Sequence, residues 1–226
     1  LKSLEIFTPP VLRGKGRPKT VKKTHLQERI YLTKQIHIMS QAKTLTPAEI
    51  EHMLAFIEQR SFATRNRVML LTGLWSGMRV GEIASLSVSD VVNTDGSIKA
   101  EVRLTAEQTK GRQPRTVFLP QKLRDELVGY MEQRTGAPRN YPLFITAGRK
   151  RFSANVMTQH FHHLFKAACI AGASSHSMRR TFITNLATKG IGVRVLASLA
   201  GHRSIAVTQR YIDVNDDMKR NAVELV

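Results

Sequence analysis

The chain has 226 residues, with 35 Lys or Arg against 17 Asp or Glu, giving a formal net charge of +18. That length fits one or two domains with a core of useful size, and 42% hydrophobic with 23% charged residues exclude a disordered chain. Apolar runs such as Val68-Met69-Leu70-Leu71 fall far short of a membrane span, and a single cysteine, Cys169, excludes both an intrachain disulfide framework and a multi-cysteine zinc site.

Residues 1–44 hold ten Lys or Arg and two Glu. Residues 1–10 lack the basic start and apolar stretch of a secretory signal, and a chain that opens on Leu1 reads as a fragment or a processed form. Within the first segment, Arg13-Gly-Lys-Gly-Arg-Pro-Lys19 has no apolar periodicity and contains Gly and Pro. It reads as a flexible basic arm or linker, either a solvated tail or a segment that tracks phosphates. Ile30, Leu32, Ile36 and Ile38 alternate as a strand would, yet so short a run also suits a helix. The excess of positive charge favours a polyanionic partner, nucleic acid first.

From Thr46 the texture changes. Thr46-Pro47-Ala48-Glu49 supplies an N-cap, a proline at the first helical position and an acidic first turn, with Ile50, Met53, Leu54 and Ile57 at helical spacing behind it. A second apolar helix is predicted at about 62–76, closed by Gly77, and a short one at about 80–86. Two β-rich runs, 98–104 and 116–119, flank the polar stretch Thr109-Lys-Gly-Arg-Gln-Pro-Arg115, which predicts a hairpin with a basic tip. Helical patterns then follow at about 121–134, 153–171, 177–189, 192–199 and 204–213, punctuated by Gly190, Gly192 and Gly201. The expected fold is mainly α with a small antiparallel β-sheet (α+β): a basic arm over 1–44, a main domain over 45–214 and a tail over 215–226.

Several sites are excluded by spacing. Gly14-Lys-Gly-Arg-Pro-Lys-Thr20 lacks the spacing of a phosphate-cradling loop, and no carboxylate cluster suits two magnesium ions. His160, His162 and His163 lie close together on a predicted helix, but further metal ligands are not evident; an ordinary polar helix face explains them. What remains is a scattered set of cations and one tyrosine. Arg79 precedes Glu82 by three residues, within reach along a helix, and alone reads as an ion-pair partner. Lys110 alone is a solvated turn lysine, and His176 and Arg179 merely share a helical face. His202 alone is a loop or capping residue, and Tyr211 a half-buried aromatic.

Together these residues form an ordered series that resembles the catalytic domain of the tyrosine recombinase (phage integrase) family. The stretches are Ser76-Gly-Met-Arg-Val-Gly-Glu82, Gln108-Thr-Lys-Gly-Arg112, His176-Ser-Met-Arg-Arg-Thr181, Leu199-Ala-Gly-His-Arg-Ser204 and Val207-Thr-Gln-Arg-Tyr-Ile212, across about 46–214. The resemblance casts Arg79, Lys110, His176, Arg179, His202 and Tyr211 as the six active-site positions, with none substituted. It implies no cofactor, double-stranded DNA recombination sites as partner, and a tetramer on two such sites. Accessory DNA-bending proteins and a bacterial or phage-derived cytoplasmic setting belong to the same expectation, as does the packing of 215–226 on a neighbouring protomer. Family members usually carry a helical core-binding domain ahead of this one, and 1–44 is too short for it. A fragment, or a short invertase lacking that domain, would each account for this.

The chemistry suits these residue types. Cutting a phosphodiester without metal requires cations on the two non-bridging oxygens, and two guanidiniums, Arg79 and Arg179, do this bidentately. A tyrosine is a poor nucleophile at its reference pKa of about 10, so surrounding cations and a neutral histidine acceptor, His176, assist it. His202 would donate to the phosphate, and Lys110 on a hairpin would protonate the leaving 5′-oxygen. Two other readings stay open: a non-catalytic DNA-binding protein on the same scaffold, and type IB topoisomerase-like strand passage.

Overall fold

The structure is a computed structural model that describes residues 42–212 and 216–224. Most of the basic arm 1–44, including the ambiguous run 30–38, lies outside the described residues, as do 213–215, 225 and 226 of the tail region. The described residues all belong to one compact unit, Ala42–Val226.

Leu45 is buried, and its N–H donates to Thr181 Oγ1 at 2.8 Å, while Lys43 pairs with Glu49. Helix α1 (Pro47–Glu58) starts as its sequence requires: Thr46 Oγ1 accepts from the Glu49 N–H, and the Glu49 carboxylate accepts from the Thr46 N–H. It buries Met53 and Ile57. Helix α2 (Ala63–Ser76) is the centre of the domain, with Val68, Met69, Leu70 and Leu71 all fully buried. A helix buried on nearly every side must be approached closely, and Gly73 permits this. A Cβ there would lie 2.8 Å from Met178 Sδ on helix α7 (Ser175–Thr188).

Between these lie α3 (Val80–Ser85), the single turn α4 (Val88–Val91), the hairpin β1 (Glu101–Leu104) and β2 (Arg115–Phe118), α5 (Gln121–Glu132) and α6 (Ala154–Ala167). After α7 come α8 (Val193–Ala200), α9 (Ile205–Gln209) and α10 (Asp216–Val223). The strands are antiparallel, pairing Val102 with Val117 and Leu104 with Arg115. Val102, Leu104 and Val117 face the core, joined there by Leu123 and Leu127 of α5 and by Phe161 and Phe165 of α6. Mainly helical architecture with one small antiparallel sheet is therefore the observed fold.

Four of the differences from the sequence expectation have a local reason. Residues 98–100 stay out of the ladder, Ile98 instead forming an isolated bridge with Val92. Helix α6 stops at Ala167, because Cys169 turns left-handed at φ 57°. The last predicted helix, 204–213, holds only to Gln209, so Tyr211 stands on a turn, its N–H donating to Thr208 O at 2.9 Å. Helix α4 went unpredicted, being one turn too short to show periodicity; a reciprocal cap of Ser87 and Asp90 makes it.

Candidate active site

The site is built around the end of α8. Helix α2 closes on Gly77 at φ 65°, where a Cβ would meet Phe182 Cδ1 at 2.4 Å, so only glycine allows the turn. That turn makes Arg79 the N-cap of α3. Its N–H donates to Glu82 Oε2 at 2.8 Å, its Nη1 to Oε1 at 3.0 Å, and its Nη2 to Gly201 O at 3.3 Å. Glu82 is 1% exposed, so the pair read as a surface contact in the sequence has a buried carboxylate at its centre. From β2, Arg115 Nη2 donates to Glu82 Oε2 at 2.7 Å and Nη1 to Leu199 O at 2.8 Å. From α7, Arg179, 5% exposed, donates through Nη1 to Gly77 O at 2.7 Å and through Nη2 to Ala200 O.

Three guanidiniums from three elements thus meet three successive carbonyls, those of Leu199, Ala200 and Gly201. A helix leaves its last carbonyls without intrahelical partners and its C-terminal end partially negative, which makes this end a natural seat for cations. The arrangement fixes the residue that follows, His202. Its Nδ1 exchanges a hydrogen bond with the fully buried Thr208 Oγ1 at 2.8 Å. The His202 ring stacks on Tyr211, with centroids 5.7 Å apart and planes 17° from parallel. The Arg180 guanidinium lies 5.5 Å from the centre of the same tyrosine ring, and Thr184 Oγ1 donates to Tyr211 O at 3.2 Å.

Lys110 is exposed on the 105–114 loop of the hairpin. The loop is ordered from below: buried Thr109 accepts from the Gln113 N–H at 3.0 Å, and Gln108 Nε2 donates to Asp90 Oδ2 at 2.9 Å. From the opposite side Arg203 Nη2 donates to Gly111 O at 2.6 Å, tying the tip to the residue after His202. His176, on the first turn of α7, feels the charges of Lys110, Arg179 and Arg79. All six residues singled out by the sequence are therefore gathered around one end of α8.

Charge and burial tune the cluster. Burial raises the Glu82 carboxyl, but the hydrogen bond and charge of Arg115, together with Arg79, outweigh it and hold Glu82 below the usual carboxylate range. Burial, then Arg79, lowers Arg179 to about 9, which still leaves it charged near neutral pH. Burial, then Arg179, Arg79 and Arg115, push His202 down to about 4. Burial, then Lys110, lowers His176 as well. Both imidazoles are thus neutral near pH 7.

His160 is also held at about 4, by burial, Arg65 and His163; it is a packing residue, 3.0 Å from Asn66 Oδ1 and edge-on to Phe152. Among the described residues no group of three His, Cys, Asp or Glu is arranged to hold a metal. For His160 and His202 the folded value lies below the ordinary 6.5, so the unfolded chain takes up protons first and stability is lost as pH falls from about 6.5 toward about 4. Urea midpoints should therefore drop between about pH 7 and pH 5, and His160→Gln should flatten that drop. A midpoint independent of pH across this range would refute the assignment.

Arg115 is the residue the sequence reading placed wrongly, as part of a solvated tip. Its position opposite Leu104 at the start of β2 makes it the first residue inside the ladder, where its side chain turns into the protein. Thr208 was likewise missed, having no signal beyond its proximity to Tyr211.

The domain is thus a mainly helical one that converges arginines, two histidines and a tyrosine on one helix end. Residues 43–218 match the phage integrase family, and the chain belongs to that family. It is 30% identical over 185 residues to tyrosine recombinase XerA of Pyrococcus furiosus, covering 80% of this chain and 61% of that protein. The chain thus spans about three-fifths of the length of that relative. The crystal structure of XerA recombinase superimposes with a TM-score of 0.66 at 25% identity, covering 81% of this chain and 64% of that one. The fold is also that of the Tn1549 transposon integrase (residues 82–397), solved in complex with circular intermediate DNA, at a TM-score of 0.62 and 22% identity over 80% of this chain and 66% of that one.

Proposed function

We propose that this chain is the catalytic part of a site-specific recombinase, which cuts and rejoins double-stranded DNA through a covalent 3′-phosphotyrosyl intermediate on Tyr211. The observation that carries the reading is the stack of Tyr211 on His202 beside Arg79 and Arg179, in a chain of the phage integrase family. Tyr211 Oη attacks phosphorus, the P–O5′ bond breaks, and the phenol proton passes to His176, which is neutral and able to accept it. Arg79 and Arg179 take the two non-bridging oxygens: each nitrogen they commit to Glu82 or a carbonyl carries a second hydrogen. With Nδ1 accepting from Thr208, the His202 proton sits on Nε2 and is free to donate to the phosphate. Lys110 gives its proton to the departing 5′-oxygen. Attack by a 5′-hydroxyl of another strand reverses every step, so the bond energy is kept and no nucleotide cofactor is consumed.

The same reading implies four protomers on two DNA sites, accessory DNA-bending proteins where the sites require them, and a place on the nucleoid in the cytoplasm. Among the described residues no helix is long and apolar enough to cross a membrane. Incubating the protein with a nicked DNA substrate and separating the products under denaturing conditions tests the chemistry. A DNA–protein adduct is expected, and retention of DNA without an adduct would leave only a binding protein.

Two truncations test the ends of the chain. If 1–44 tracks DNA, removing 1–24, with seven of its Lys and Arg, should make the salt dependence of affinity shallower by about 0.9 log units for each phosphate that is no longer neutralised. Removing 217–226 should weaken pairing of two DNA sites while sparing single-site binding, as expected if 215–226 packs on a neighbouring protomer. An unchanged slope, or unchanged pairing, would assign that end to solvent.

A further inference from the structure

We infer that Arg115 is a seventh functional residue of the site, a positioning residue that holds Glu82 and the end of α8 so that Arg79 and His202 meet the phosphate together. The inference rests on the recombinase reading for its chemistry, but its geometry does not. Arg115 joins three pieces of the site at once. Its side chain is 11% exposed, it shares both carboxylate oxygens of Glu82 with Arg79, and it reaches past them to Leu199 O. A bidentate fork suits this task, since an ammonium cannot span a carboxylate and a carbonyl in fixed directions.

The approach is also close enough to dictate sequence elsewhere. Gly201, at φ 61°, carries no Cβ, and one placed there would lie 2.6 Å from Arg115 Cδ. The loop that presents His202 is therefore moulded around the arginine. All three guanidinium nitrogens of Arg115 are engaged with Glu82 and the α8 carbonyl, which orients the side chain toward them, so its effect is assigned to pass through Arg79 and His202. Remote misplacement of catalytic groups by about 1 Å costs on the order of 10²-fold in rate, and that is the loss expected here.

The test uses the full chain in five forms: the parent, Arg115→Met, Arg79→Ala, the double variant, and Arg115→Lys as the conservative check. Adduct formation on nicked DNA should fall on the order of 10²-fold in Arg115→Met, partly recovering in Arg115→Lys, with single-site DNA affinity unchanged. Replacing the bridging 5′-oxygen by sulfur should restore neither, because leaving-group protonation is not the defect. In the Arg79→Ala background the Arg115 change should cost little more, since a residue that acts through Arg79 has nothing left to position. Full multiplication of the two losses, or parent-like rates in Arg115→Met, would overturn the inference. Histidine NMR titration gives a readout that needs no DNA chemistry. Losing Arg115, the last of the causes after burial, Arg179 and Arg79, should raise the His202 titration midpoint toward that of an ordinary imidazole, and an unmoved midpoint would also overturn it. If the parent forms no adduct on any DNA yet His202 moves, the recombinase reading fails while the positioning role stands.

Discussion

Tyr211→Phe should form no DNA adduct on any substrate, nicked or intact, while binding the same DNA as tightly as the parent. The change removes one oxygen, the atom that bonds to phosphorus in the proposed reaction. The ring itself should stay where it is, because it stacks on His202, lies against the Arg180 guanidinium and has its backbone carbonyl held by the Thr184 hydroxyl. Parent-like DNA affinity with complete loss of adduct therefore isolates the nucleophile. Adduct formation by the phenylalanine variant would move the nucleophile elsewhere in the chain.

Lys110→Ala should lose on the order of 10²–10⁴ in cleavage rate on ordinary DNA and recover nearly all of it when sulfur replaces the bridging 5′-oxygen. Sulfur departs without a proton, so a missing general acid no longer matters. Arg79→Ala should lose on the order of 10²–10³ and recover nothing, because charge on the non-bridging oxygens remains unstabilised. The contrast has a structural basis. Lys110 stands exposed on a loop pinned at Thr109 and Gly111, free to reach a leaving group, whereas Arg79 is fixed between Glu82 and Gly201 O. Failure of sulfur to rescue Lys110→Ala would make this lysine a phosphate clamp; equal rescue of Arg79→Ala would exchange the two roles.

The parts of the fold legible in the sequence are those governed by local chemistry. Thr46, Pro47 and Glu49 announce α1 because a cap is an interaction among neighbours, and Gly77 announces the end of α2 because a left-handed turn excludes other residues. The six site residues could be named from their ordered motifs, yet their environment could not be. His176 and Arg179 share a face by spacing, but burial divides them: Arg179 is almost wholly enclosed and His176 much less so. Glu82 looked like the partner of Arg79 alone, since nothing local reveals that a strand some thirty residues later brings a second arginine to the same carboxylate. The overlong final helix failed for a related reason. Apolar spacing continued past Gln209, while the chain itself turned there to set Tyr211 against His202.

The convergence of α3, β2 and α7 on the carbonyls of Leu199, Ala200 and Gly201 bears on how this chain could be re-engineered. Swapping a single segment from a relative, whether the hairpin or the helix that presents His202, would import half of a lock whose other half stays behind. A transplanted hairpin lacking an arginine at the Arg115 position would strand Glu82, and a transplanted α8 with a side chain at the Gly201 position would collide with that arginine. Chimeras should therefore exchange residues 77–82, 115, 179 and 199–202 as one block. The exposed face of α8 around Val195 and of β2 around Phe118 lies outside this lock and is the place to vary sequence freely.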